Sequence, residues 1–280
     1  MIPLDSQLPK IGTKDLEVKK WDQFNVKLVQ TTIQIIFTED NYIKYVQDGV
    51  ILRMEQVIDT QKEPELLTNM EQIKHFQQQG KYGNNKKKIG KWITSWQGTV
   101  LNKIGGYYED GLKQGLWNQI IKNFWSLAQV YESGEYFNDF KRGKWKFIYK
   151  NQIIGGGSYN EQGQRNGKWI ELSEGFYNYS QITYKGEYKN GKKVGNWDIF
   201  WQKDFGDKLY QQIGGGSYDN QVDGDSIKIG KWTEFCDDFH SYLFGSKQVT
   251  YNGEYKNGKK IGIWMEIDRN IEVKEIQYDN

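Results

Sequence analysis

Residues 184–197 read Tyr-Lys-Gly-Glu-Tyr-Lys-Asn-Gly-Lys-Lys-Val-Gly-Asn-Trp, and residues 251–264 repeat them nearly verbatim. A chain built this way stacks similar units that touch mainly their neighbours, so length adds units instead of enlarging one core. The most regular element is Gly-x-Trp, which occurs seven times, at Gly90/Trp92, Gly115/Trp117, Gly143/Trp145, Gly167/Trp169, Gly195/Trp197, Gly230/Trp232 and Gly262/Trp264. A Gly-x-Tyr precedes most copies by a nearly fixed interval, as in Tyr136/Trp145, Tyr188/Trp197 and Tyr255/Trp264, whereas Tyr218/Trp232 is longer and carries an insertion.

The copies alternate between two kinds. One begins Ile104-Gly105-Gly106, Ile154-Gly155-Gly156-Gly157 or Ile213-Gly214-Gly215-Gly216; the other begins Gly134-Glu135-Tyr136, Gly186-Glu187-Tyr188 or Gly253-Glu254-Tyr255. The duplicated unit is therefore a pair of hairpins plus a linking segment. Asn190-Gly191 and Asn257-Gly258 suit two-residue hairpin turns, because both residue types tolerate positive φ. With that turn, Lys189 faces Lys192, Tyr188 faces Lys193, Gly186 faces Gly195 and Tyr184 faces Trp197. The paired glycines would leave a bare patch for an aromatic ring of the next unit. Gly155-Gly156-Gly157 and Gly214-Gly215-Gly216 lack the Lys-Ser/Thr of a phosphate loop, and their recurrence points to sheet geometry.

These residues predict an all-β protein: an elongated, twisted antiparallel meander of hairpins with a small β-rich cap at its start. Residues 1–20 read as an irregular lead-in, 21–79 as the cap, 80–268 as the array and 269–280 as a capping strand and tail. Within the cap, Asp48-Gly49 marks a hairpin, and Glu63-Pro64-Glu65 suits the start of a short helix. Seven hairpins at about 4.8 Å per strand would extend roughly 65 Å.

The pattern Tyr-x-Gly-Glu-x-x-x-Gly-Lys-x-x-Gly at residues 184–195 and 251–262 resembles the MORN repeat (membrane occupation and recognition nexus). The resemblance covers roughly residues 80–268, departs from the family in its Trp and its longer spacing, and is similar to MORN-like families of ciliate protists. It implies a hairpin meander with roles in scaffolding, protein contact or membrane apposition.

Chemistry is sparse. The formal charge of +2 is too balanced for a nucleic-acid binder. The single cysteine, Cys236, excludes an internal disulfide framework and suits a reducing compartment. Residues 33–37 form the longest apolar run, far too short to span a bilayer, and the first residues carry no secretory pattern. His75 and His240 stand far apart with no metal-ligand spacing. The expectation is a non-enzymatic cytoplasmic protein without cofactor or metal, associated with cytoskeleton or membrane. Its candidate partners are an unidentified protein or an anionic membrane surface, and no nucleic acid.

Two sets of residues are candidate contacts. Basic hairpin tips at Lys141, Arg142, Lys192, Lys193, Lys259 and Lys260 would line one edge and meet acidic surfaces. Aromatic links at Phe124, Trp125, Phe176, Tyr177 and Phe239 recur at equivalent places. Exposed, they would anchor a long partner; folded inward, they would cover the sheet. Glu135, Glu187 and Glu254 read as cross-strand partners of the turn lysines.

Overall fold

The computed structural model describes residues 11–22, 24, 27–202, 210–221, 224–237, 239–242, 245–269 and 271–279. The first ten residues of the expected lead-in lie outside that set.

The fold is almost entirely antiparallel β. The first sheet holds β1 (Gly12–Asp22), β2 (Lys27–Phe37), β3 (Tyr42–Gln47) and β4 (Val50–Gln56), in that order. Residues 12–20 are thus a strand and not irregular chain. Glu17, Lys19 and their neighbours pair along the whole of β2, and Val18 enters the core beside Ile33 and Ile35. Charged residues at alternate positions of β1 hide the strand from a reading based on polarity.

The Asp48-Gly49 turn forms as expected, with both residues at positive φ (50° and 78°). No helix starts at Glu63. Helix α1 (Met70–His75) begins after Asn69, whose side chain accepts from the N–H groups of Glu71 and Gln72. A capping Asn outweighs a first-turn proline in setting the start. Met70 and Ile73 then close the core of the first sheet.

The second sheet has 15 strands, and all but one of its neighbouring pairs are consecutive in sequence. It runs through β5 (Phe76–Tyr82), β6 (Lys88–Trp96), β7 (Thr99–Glu109), β8 (Leu112–Ile120), β9 (Val130–Phe137) and β10 (Phe140–Tyr149). It continues through β11 (Gln152–Tyr159), β12 (Arg165–Leu172), β13 (Gln181–Lys189), β14 (Lys192–Gln202), β15 (Tyr210–Tyr218) and β16 (Lys228–Phe235). A small pair, β17 (His240–Tyr242) and β18 (Gly245–Lys247), stands apart. The large sheet resumes with β19 (Val249–Lys256), β20 (Lys259–Asp268) and β21 (Ile271–Tyr278). Its two end strands are β5 and β21, so the meander is not closed.

The chain divides into two compact units, Met1–Trp125 with Tyr136–Asp139, and Ser126–Glu135 with Phe140–Asn280. In the first, the cap is tied to the opening hairpins. Trp21 stacks on Trp125 at 4.4 Å, and Gln72 donates to the carbonyls of Ile121 and Lys122.

Hairpin register follows the expected turn and then departs from it. Lys189 faces Lys192 and Tyr188 faces Lys193. Beyond that the ladder slips, so that Tyr184 faces Ile199, two positions past Trp197. The cause is Gly195, held at φ 59°, a left-handed conformation that costs a residue with a Cβ but not glycine. The Gly of every Gly-x-Trp copy has the same sign of φ, between 59° and 74°. These glycines make bulges. They are not half of a bare patch.

The bulge turns each Trp onto the glycine of the preceding strand. A Cβ on Gly186 would lie 2.3 Å from the Trp197 ring, and one on Gly253 would lie 2.2 Å from Trp264. The same holds for Gly80 under Trp92, Gly106 under Trp117, Gly134 under Trp145, Gly157 under Trp169 and Gly216 under Trp232. The covering ring belongs to the same hairpin, not to the next unit.

Candidate functional site

On the face that carries the tryptophans, Trp and Tyr alternate edge-to-face from strand to strand. In the first unit the order is Tyr82, Trp92, Tyr108, Trp117, Tyr136, with centroids 4.9 to 6.0 Å apart. In the second, contacts of 5.1 to 6.1 Å run unbroken from Trp145 through Tyr159, Trp169, Tyr188, Trp197, Tyr218, Trp232, Tyr255 and Trp264 to Tyr278. Each such pair contributes about 0.5–1.5 kcal/mol beyond burial.

A cation lies over every tryptophan of this ladder, always four residues ahead of it. Lys88 sits 4.4 Å above Trp92, Lys113 5.1 Å above Trp117, Lys141 4.2 Å above Trp145 and Arg165 4.9 Å above Trp169. Lys193 sits 4.2 Å above Trp197, Lys228 4.5 Å above Trp232 and Lys260 4.0 Å above Trp264. The seven cations are spaced as the Trp residues are, so the signal [Lys/Arg]-x-Gly-x-Trp was present in the sequence. It is concealed among the other lysines of the turns. Burial and the neighbouring Lys113 push the Lys88 ammonium below its ordinary pKa.

Carboxylates anchor the cations of the second unit. Glu171, two residues beyond Trp169, accepts from Arg165, from Lys193 at 2.7 Å and from the Tyr188 hydroxyl at 2.7 Å. Glu234, two residues beyond Trp232, accepts from Lys228, from Lys260 at 2.9 Å and from the Tyr255 hydroxyl at 2.9 Å. In the first unit the corresponding place holds Gln119, which accepts from Lys113 and Tyr136. Lys141 finds its carboxylate at Glu132 instead, 2.6 Å away.

Burial alone would raise the Glu234 carboxyl, but hydrogen bonds from Lys228, Lys260 and Tyr255 outweigh it and hold the group below its ordinary value of 4.5. A depressed folded-state pKa gives stability that is present above the unfolded value and is lost as pH falls through the folded one. Glu234→Gln should therefore cost about 1–3 kcal/mol near neutral pH. In urea titrations its gap from the parent should narrow on acidification, and a gap independent of pH would refute the clamp.

The predicted contact residues thus divide. Lys141, Lys193 and Lys260 are committed to the ladder and its carboxylates, and Arg142 pairs with Glu161 at 3.1 Å. Lys192 and Lys259 stay at the tips, facing Lys189 and Lys256 across the turns. The exposed aromatic row does not form. Phe124, Trp125, Phe176, Tyr177 and Phe239 are all buried, at 9% exposure or less. Each link folds back onto the tail of an earlier strand, with Phe124 against Trp96 at 4.8 Å, Phe176 against Tyr149 at 5.6 Å and Phe239 against Trp201 at 5.2 Å. Glu187 and Glu254 face Lys168 and Lys231, the residues before Trp, and not the turn lysines.

The opposite face of the sheet is mixed, with Ile93, Ile170 and Met265 beside Asn118, Lys146, Asp198 and Thr233 at the position after each tryptophan. Over Gly214-Gly215-Gly216 it forms an open trough of about 400 Å³ lined by Asn196, Asp198, Gln212, Ser217 and Thr233. Its glycine floor has a backbone cause, since a Cβ on Gly215 would lie 2.4 Å from the Trp197 carbonyl oxygen. On this same face of the first unit, Leu116 is 80% exposed, Tyr107 57% and Ile89 37%. At the Leu116 position other copies carry Lys91, Lys144, Lys168, Asn196, Lys231 and Ile263, and at the Tyr107 position Lys81, Glu135, Ser158, Glu187, Ser217 and Glu254.

Cys236 is buried. Among the described residues, no group of three or more His, Cys, Asp or Glu is placed to hold a metal ion, and no helix is long and apolar enough to cross a membrane. No family model matches the chain, and no curated protein matches it.

Proposed function

We propose that this chain is a non-catalytic interaction scaffold of the MORN-like kind, with a protein as its partner. The observation that carries this reading is the break in the polar pattern at Tyr107 and Leu116. Most other copies of the repeat set a charged or small polar side chain there, while this unit sets two large apolar side chains into solvent. Apolar groups exposed together, unlike ones scattered singly, are a mark of recognition surfaces, and Tyr107 and Leu116 lie on the paired strands β7 and β8. The recurring acidic groups offer little to catalysis, because Glu171 and Glu234 are each saturated by two cations and a tyrosine.

The membrane-surface reading is the weaker one. It rested on six basic tip residues, and four of them already have acidic partners within the fold.

Capture from native extract tests the proposal. The parent chain should retain a protein that Tyr107→Ser/Leu116→Lys does not, while both keep the same circular dichroism and melting temperature. An identical set of retained proteins for the two chains would overturn it.

A further inference from the structure

Tyr82 faces Lys88 across the hairpin of β5 and β6, as Tyr188 faces Lys193 and Tyr255 faces Lys260. In the two later hairpins this pair binds one carboxylate. Glu171 accepts from Lys193 and the Tyr188 hydroxyl, and Glu234 accepts from Lys260 and the Tyr255 hydroxyl. Each acid comes from the strand beside the hairpin's first strand, β12 beside β13 or β16 beside β19. Among the described residues β5 has no such neighbour, because the chain ahead of it builds the cap and enters through α1.

The hairpin of β9 and β10 supplies its acid from within. Lys141 pairs with Glu132, four residues before Tyr136. Four residues before Tyr82 stands Gln78. Neither source therefore gives Lys88 a carboxylate. Among the described residues Lys88 makes no ion pair, and the Tyr82 hydroxyl makes no hydrogen bond. Both side chains are half-buried, so solutes can reach them.

The acids of the cap do not take this place. Glu55 is held by Arg53, and Asp59 accepts from the Gln61 N–H of its own turn. Glu65 and Glu55 favour the Lys88 ammonium through space, but burial and the neighbouring Lys113 outweigh them and leave its pKa lowered. Burial, Asp59 and Glu55 push the Tyr82 hydroxyl up, so it keeps its proton to donate. The ammonium lies 4.4 Å over Trp92 and 5.1 Å over Tyr108, set between two rings.

We propose that Lys88 and Tyr82 form a carboxylate-binding site, filled by an acidic side chain of a partner or by a free carboxylic acid, in the manner of Glu171 and Glu234. Hydrogen bonds to a charged group are roughly twice as strong as neutral ones, and each of the two side chains donates one. The site is on the tryptophan face, apart from Tyr107 and Leu116, so either surface can fail alone.

Competitive acylation of the full chain with limiting acetic anhydride, read by mass spectrometry, tests it. Only the uncharged amine reacts, so a bound carboxylate slows Lys88 by keeping it charged. Saturating N-acetylglutamate methylamide should slow Lys88 by about fivefold, the equivalent of one net hydrogen bond, and N-acetylglutamine methylamide should not. Lys141, already paired with Glu132, should react at one rate throughout. Equal protection by acetate would assign the site to free acids, and protection by the glutamate probe alone to a partner's side chain. Gln78→Glu should slow Lys88 without any added acid. Tyr82→Phe should raise the acid concentration needed for protection by about fivefold. An unaltered Lys88 rate with both acids, equal slowing by the glutamine probe, or undiminished protection in Tyr82→Phe would each overturn the proposal.

Discussion

Gly186→Val should lower the stability of the chain by about 3 kcal/mol, at the upper end of what overpacking costs. The Trp197 ring occupies the space that the new side chain needs, 2.3 Å from the first added carbon, and Trp197 is itself 1% exposed with Tyr188 and Tyr218 against its sides. The ring has nowhere to retreat. Trp197→Ala should cost about 3–5 kcal/mol on its own, because it opens a cavity within the ladder. The double variant decides the mechanism. If ring and glycine occupy one another's space, Gly186→Val should cost far less in the Trp197→Ala background, where the valine enters vacated volume. Chemical denaturation of the four proteins completes the cycle, and additive losses would show that the glycine serves some other purpose.

Phe176→Ala should destabilise by about 3–5 kcal/mol, the usual cost of truncating a buried phenylalanine. Phe176 is 3% exposed and meets the edge of Tyr149, in the same relation that Phe239 bears to Trp201. The link around it is held at both sides: the Asn178 N–H donates to the Leu127 carbonyl at 3.1 Å, and the Ser180 hydroxyl donates to the Phe239 carbonyl at 2.6 Å. The loss should therefore appear as a shifted denaturation midpoint of the second unit. An unchanged midpoint would mean that the link lies open to solvent and is free to serve as an anchor for a partner.

Much of this architecture was legible in the residues. The two-residue turns were fixed by Asn190-Gly191 and Asn257-Gly258, which populate positive φ at both positions. The hairpin count followed from the seven Gly-x-Trp copies. The roles of the two glycines in each hairpin were not separable by spacing, since a bare residue under a ring and a bulge residue at positive φ are both written Gly. The ladder cations were hidden for a related reason. Lys193 and Lys192 are neighbours of one type at one turn, and only the side of the strand on which each falls separates a cation bound over Trp197 from one left at the tip. Strand β1 was missed because its buried side is short, with Val18 its one fully buried residue.

The sequence alone determined that the protein is a run of antiparallel hairpins, because turn chemistry and period-two alternation act over a few residues and need no distant partner. The tertiary structure alone decided what covers what. The bulge at Gly195 moves the ladder by two positions, turning Trp197 onto Gly186 and carrying Tyr184 opposite Ile199. The stretch Phe176-Tyr177 is written the same way whether it faces solvent or sheet. Its burial depends on the tail of a strand nearly thirty residues earlier, where Tyr149 meets Phe176. Contacts of that range are set by packing, and packing is a property of the assembled hairpins.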